Sequence, residues 1–272
     1  MTVFLIVLLL LCLLAWNLLH GRKNASGWEK FRGVRYAHRG LHGAGAPENS
    51  LAAFRRAAEA GYGAELDVHL TKDGRLAVIH DSDLTRVCGA SGIVEDLTAA
   101  ELAAYRLGGT EEMIPFLEQV LPLFEGRCPL VVELKPRGDN QAALTAKTVD
   151  CLDSFRADYC LESFDPQVLV WLRHHRPELL RGQLAENILK KPEKGGLFLR
   201  LSLTELFYNR KTRPDFVAYR YEDRHTAAAA LWRLWGGHTV YWTIRSSEAL
   251  REAERLSALP IFEGFEPEEG AT

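Results

Sequence analysis

The chain has 272 residues, a net charge of -3 at pH 7, and 25% charged against 47% hydrophobic residues. Acids and bases are mixed along it, which excludes a dedicated nucleic-acid binder, and no internal repeat or low-complexity segment points to an array or a tail. Its five cysteines show no paired metal-ligand spacing, so buried reduced thiols are expected at Cys88, Cys128, Cys151 and Cys160.

Val3 to Leu19 is almost wholly Leu, Val, Ile, Phe and Ala, broken only by Cys12, Trp16 and Asn17. A hydrocarbon core of about 30 Å needs ~20 helical residues, so a single transmembrane anchor is expected over 1–20. A signal peptide fits less well, because a basic n-region and a small-x-small cleavage site are missing. Arg22, Lys23, Lys30, Arg32 and Arg35 follow, in or beside a juxtamembrane linker over 21–32. The positive-inside bias then places the remaining domain, 33–268, on the cytoplasmic side of a cell membrane. There, the glycosylation-like Asn24-Ala25-Ser26 would carry no meaning.

Beyond the linker, strand-like runs alternate with helical patterns. The runs are Val34 to Ala37, Ala64 to Leu70, Leu76 to Ile79, Leu130 to Leu134, Tyr159 to Phe164, Arg181 to Ala185, Phe216 to Tyr221, Thr239 to Ile244 and Ile261 to Phe265. Helices are expected at Leu51 to Ala60, stopped by Gly61, and at Ala142 to Phe155, Pro166 to His174 and Thr226 to Trp235, the last ended by Gly236-Gly237. This order suits an α/β fold, a single (β/α)8 barrel with a small insertion after the second strand.

The chemistry gathers where such a barrel places its active site. On the Ala64 to Leu70 run, the period of two puts Glu65 and Asp67 on one face. Neighbouring carboxylates repel, and a divalent cation or a proton relieves them. Glu133 and Lys135 repeat the arrangement at the end of another apolar run, and His38 and His80 end two more. Three carboxylates, two imidazoles and one ammonium at the carboxyl ends of expected parallel strands read as phosphodiester chemistry. Asn49 and Ser50 both suit the N-cap of the helix that follows, and Asn49 suits a ligand contact equally. His69 shares the face of Asp67.

Taken together, His38-Arg39-Gly40, Pro47-Glu48-Asn49-Ser50, Glu65-x-Asp67 with Thr71-Lys72-Asp73-Gly74, His80-Asp81 with Leu84-x-Arg86, Val132-Glu133-Leu134-Lys135, Ser163-Phe164-Asp165 and Tyr241-Trp242-Thr243 resemble the glycerophosphodiester phosphodiesterase family, in order and spacing. The resemblance covers nearly everything after the first thirty residues. It implies a TIM barrel with Glu65, Asp67 and Glu133 as ligands of one divalent cation, Mg2+ or Ca2+. It further implies His38 and His80 as the acid/base pair, Arg39 and Lys135 on the substrate phosphate, and Asn49, Phe164 and Trp242 in the substrate pocket. The implied reaction releases sn-glycerol 3-phosphate from glycerophosphodiesters, or lysophosphatidic acid from lysophospholipids. A phosphatidylinositol phospholipase C-like lyase would share the barrel and the two histidines, and a silent membrane-tethered binding module would share the fold alone.

Two stretches depart from the pattern or stand outside it. Phe262-Glu263-Gly264-Phe265 replaces a glycine-isoleucine-threonine-aspartate type of strand end, and Arg245 stands where an asparagine is common. Between Ile188 and Arg213, Lys190, Lys191, Lys194, Arg200, Arg210, Lys211 and Arg213 mingle with Leu197, Phe198, Leu201, Leu203, Leu206 and Phe207. This segment suits an ordinary barrel helix with its apolar face inward, or a surface for anionic lipid.

Overall fold

The expected alternation closes into a ring. The structure, a computed structural model, describes residues 2–22, 27–191 and 196–268. Lys23, the Asn24-Ala25-Ser26 acceptor and Lys194 lie outside the described residues. In chain order the elements are α1 (Thr2–Leu19), β1 (Tyr36–His38), α2 (Leu51–Glu59), β2 (Gly63–Leu70), β3 (Leu76–Val78), α3 (Thr85–Cys88), α4 (Ala99–Leu102), α5 (Leu117–Val120) and β4 (Leu130–Leu134). There follow α6 (Gln141–Asp153), β5 (Tyr159–Ser163), α7 (Pro166–His175), β6 (Arg181–Ala185), α8 (Leu197–Thr204), α9 (Asn209–Thr212), β7 (Phe216–Arg220), α10 (Ala227–Leu234), β8 (His238–Ile244), α11 (Ser247–Arg255) and β9 (Leu259–Phe262). Eight of the strands, all but β3, are parallel neighbours, and β1 pairs with both β2 and β9 to close the barrel.

Alternation along the strands sorts side chains into two cores. Tyr36, Val131, Cys160, Phe216, Val240 and Ile261 fill the barrel's interior, with Trp28 and Phe31 packed beneath. Leu66, Val132, Leu161, Val217 and Phe262 face outward against Phe54, Leu144, Leu172 and Leu250 of the surrounding helices. Above the inner plug the inward positions turn polar, and the site begins there.

One strand runs against expectation. Leu76 to Ile79 is not another barrel strand: β3 pairs antiparallel with β2, Val68 opposite Val78 and Leu70 opposite Leu76. Only Thr71 to Arg75 link the two, too few residues for a parallel crossover, and Gly74 at φ 82° makes the turn. The hairpin folds back, and the Ile79 N–H reaches the Asp67 carbonyl, so His80 arrives beside Asp67 from above. The insertion that follows has its own small core of Ala77, Ile79, Leu84, Val87, Val94, Leu102, Leu107 and Ile114.

The amino-terminal segment is helical, yet among the described residues no helix is long and apolar enough to cross a membrane. The last turn of α1 is committed to the barrel. Leu19 is buried, Asn209 Nδ2 donates to the Leu19 carbonyl at 3.0 Å, Arg213 donates to the carbonyls of Asn17 and His20, and Trp16 meets Trp235 edge-on at 5.2 Å. About 14 residues, ~21 Å of helix, precede this turn, against a hydrocarbon core of about 30 Å. The expected transmembrane span is therefore without structural support. The ordinary-helix expectation for 188–213 also fails over α8, which turns Ser202 and Thr204 inward and leaves Leu197 66% and Phe198 81% exposed.

Candidate active site

The site is assembled from strand ends in register. Asp67 of β2 lies opposite Glu133 of β4, and Glu133 opposite Glu162 of β5. His38 ends β1 level with Glu65. Arg39 and Gly40 then adopt left-handed backbone, φ 55° and 77°, which turns the chain sharply and carries the Arg39 guanidinium back over the strand ends. A Cβ on Gly40 would lie 2.8 Å from the Ala53 backbone of α2, so glycine is required there.

Glu65, Asp67 and Glu133 are buried, with one ligand oxygen from each lying within 4.8 Å of the others. Lys135 Nζ sits 3.0 Å from Asp67 Oδ1 and 2.9 Å from Glu133 Oε2. The Arg39 side chain reaches Glu48 at 2.9 Å and Asp67 at 3.5 Å, while its N–H donates to Glu65. Burial disfavours the charge of Asp67, but Lys135, His80 and Arg39 outweigh it and hold the carboxyl well below its ordinary range. Burial, reinforced by the other carboxylates, pushes Glu65 well up and Glu133 to about 7. Two further buried oxygens, Asn49 Oδ1 and Glu162 Oε2, have no hydrogen-bond partner among the described residues. Such an excess of oxygen acceptors over donors suits a hard divalent cation, and the triad has the composition to hold one.

His38 Nε2 lies 3.9 Å from Glu65 Oε2. His80 Nδ1 is 2.6 Å from Asp81, and Asp81, Arg86, Glu48 and Arg39 continue as one chain of charged hydrogen bonds. Burial lowers the pKa of both imidazoles, so both are neutral near pH 7 and able to accept a proton.

A cleft of about 420 Å³ opens over these groups, lined by His38, Arg39, Glu65, His80, Glu133 and Lys135 on one side and by Phe164 and Trp242 on another. The two aromatic rings meet edge-on at 5.7 Å. Asn49 is not in the wall: at φ 56° it sits beneath Asp67 and donates to its Oδ2 at 2.9 Å. The cap of α2 is Ser50, whose hydroxyl accepts from the Ala53 N–H. His69 also stays out of the cleft, bonded to Glu95 at 2.6 Å and to the His80 carbonyl. The reading from sequence missed Glu162, Glu186 and Arg220 in the cleft wall. Strand alternation could have found Glu162, two residues from Cys160 on the same face.

Residues 38–211 match the model of the glycerophosphoryl diester phosphodiesterase family. The chain belongs to this family. A glycerophosphodiester phosphodiesterase of Bacillus altitudinis is 34% identical over 170 residues, 58% of this chain and 69% of that protein. A lysophospholipase D of Rattus norvegicus is 32% identical over 156 residues, 52% of this chain and 46% of its own length. The structure of an Oleispira antarctica phosphodiesterase in complex with sn-glycerol-3-phosphate superposes with a TM-score of 0.71 at 22% identity, covering 86% of this chain and 94% of that one, which is a likeness of fold. In a TIM barrel the active site lies at the carboxyl ends of the parallel strands, and here that end holds the triad and His38, with His80 brought over it by the return of β3.

Proposed function

We propose that this chain hydrolyses glycerophosphodiesters to sn-glycerol 3-phosphate and an alcohol. The observation that carries the reading is the buried triad of Glu65, Asp67 and Glu133 with His38 and His80 opening on the same cleft. A divalent cation, magnesium or calcium, held by those three carboxylates would polarise a phosphoryl oxygen. One neutral imidazole takes the proton of the glycerol hydroxyl next to the phosphate as that oxygen bonds phosphorus, and the other imidazole, charged beforehand by a proton from solvent, gives that proton to the departing alcohol oxygen as its P–O bond breaks. The rings then exchange roles: the second takes a proton from the water that attacks the cyclic phosphate, and the first returns its proton to the released glycerol oxygen. Arg39 and Lys135 stabilise the remaining phosphoryl charge, and Phe164 and Trp242 give the alcohol an apolar wall.

In the purified full chain, glycerol 3-phosphate release should stop with chelator, and alanine at His38 or His80 should lower kcat by about 10²- to 10⁴-fold. Turnover within a few-fold of wild type in either variant would remove that histidine from the mechanism.

Lysolipids are a second reading, favoured by the exposed Leu197 and Phe198 of α8, which packs against the short helix Ile188–Lys190, next to Lys191 of the cleft wall. Lysophosphatidic acid release would support it. We also place the protein at the cytoplasmic surface of a membrane. Phe4, Leu5, Ile6, Val7, Leu9, Leu10, Leu13 and Leu14 of α1 are all exposed, an apolar surface that lipid would cover, and the basic residues that follow it in sequence, Arg22, Lys30, Arg32 and Arg35, each paired with a carboxylate of this chain, carry the positive-inside bias.

A further inference from the structure

His38 faces Glu65, and with it the triad, through Nε2. Its other ring nitrogen is accounted for by a residue that the family pattern does not supply. β9 pairs in parallel with β1, Ala37 opposite Phe262, so the next residue on each strand, His38 and Glu263, comes to the same end of the barrel. Nδ1 of His38 is buried without a hydrogen bond among the described residues and lies 3.6 Å from Glu263 Oε2. That separation is longer than a hydrogen bond, as contacts of catalytic groups often are before they tighten in the substrate complex.

Glu263 is itself held at three points, two on its carboxylate and one on its backbone. Arg245 donates to Oε2 at 2.6 Å, His42 Nε2 lies 3.2 Å from Oε1, and the Glu263 N–H donates to the Ile244 carbonyl of β8 at 2.9 Å. Arg245 and Glu263, one from each of the places where the sequence departs from the family pattern, are therefore bonded to each other, behind the histidine. A carboxylate beside one imidazole nitrogen selects the tautomer with its proton there and presents the other nitrogen's lone pair to the substrate.

We propose that Glu263 is the positioning residue for His38, aimed by Arg245 and His42, and that it holds the Nδ1–H tautomer so that Nε2 meets the phosphodiester. This rests on the role given to His38 above, and two measurements separate the ideas. The first is a kinetic cycle on the full chain with glycerophosphoethanolamine. Glu263→Ala should lower kcat about 10- to 100-fold with KM within about twofold, while His38→Ala/Glu263→Ala should fall no further than His38→Ala alone. A loss that multiplies in the double variant, one that appears in KM instead, or no loss at all would overturn the proposal. Glu263→Gln, close in size and expected to keep the wild-type thermal midpoint, should show the same kcat defect in milder form and guards against misreading a folding failure.

The second measurement needs no turnover. In the ¹⁵N spectrum of histidine-labelled protein, the His38 ring should report Nδ1–H in wild type and shift toward the other tautomer in Glu263→Ala. An unchanged tautomer would overturn the proposal. A shifted tautomer in a protein that hydrolyses no diester would leave Glu263's hold on His38 standing and remove the proposed reaction instead.

Discussion

Asp81 shows how a residue next to the chemistry also carries stability. Burial works against its charge, but hydrogen bonds from Arg86 and His80 prevail and hold it below the ordinary carboxylate range. A carboxyl depressed in the folded chain stabilises it above the unfolded pKa, and that contribution is lost as pH falls through the folded value. Wild type should therefore lose more of its thermal midpoint than Asp81→Asn between about pH 5 and pH 3, a window set by the unfolded aspartate value near 3.9. Parallel pH profiles would refute this. At this scale the residue types were legible: Glu65 and Asp67 share a face by parity, and the structure places them together with Glu133. Asn49 and Ser50 were not separable, because both suit an N-cap, and only the left-handed turn at Asn49 directs its amide to Asp67. His69 shows the reverse: parity aims it correctly, but Glu95 of the insertion captures it.

Among the elements, β6 depends on a residue whose role its sequence does not display. A Cβ on Gly182 would lie 2.0 Å from the ring of Phe216, the side chain that fills the barrel's inner core. Gly182→Ala should destabilise the chain by roughly 1–3 kcal/mol, seen as a thermal midpoint several degrees lower at about 2–4 °C per kcal/mol. An unchanged midpoint would mean that the ring can move aside. The same scale explains the misread β3. Leu76 to Ile79 has the composition of a buried strand, and composition says nothing of direction. Direction follows from the length of Thr71 to Arg75, and that short turn places His80 above Asp67. β9 also ends earlier than its apolar pattern, at Phe262, because the chain turns at Gly264 with φ 81°.

For the molecule as a whole, α1 has two parts with different physics. The apolar side chains from Phe4 to Leu14 that the structure describes are exposed, while Leu19, with Arg22 joined to Asp215, belongs to the barrel's own packing. A chain truncated to begin at Ala15 should keep the full thermal midpoint and lose flotation with anionic vesicles; one beginning at Gly27 should also melt several degrees lower, having lost the buried Leu19 and the Arg22 ion pair. Retained flotation of the Ala15 chain would move lipid binding from α1 to the β6–β7 crossover, where α8 is exposed.

The sequence by itself determined the barrel and brought forward the carboxylates and histidines proposed for its chemistry, because strand alternation and helix punctuation are local and most of the motif residues stand at strand ends. Only the tertiary structure decided which groups meet. The hairpin return of β3, the placement of Asn49 beneath Asp67 and the meeting of His38 with Glu263 join residues distant in sequence through strand register, and register is settled by closing the ring. The fate of α1 was decided in the same way: hydropathy counts apolar residues along the chain, and only packing shows that its last turn is already held by the barrel.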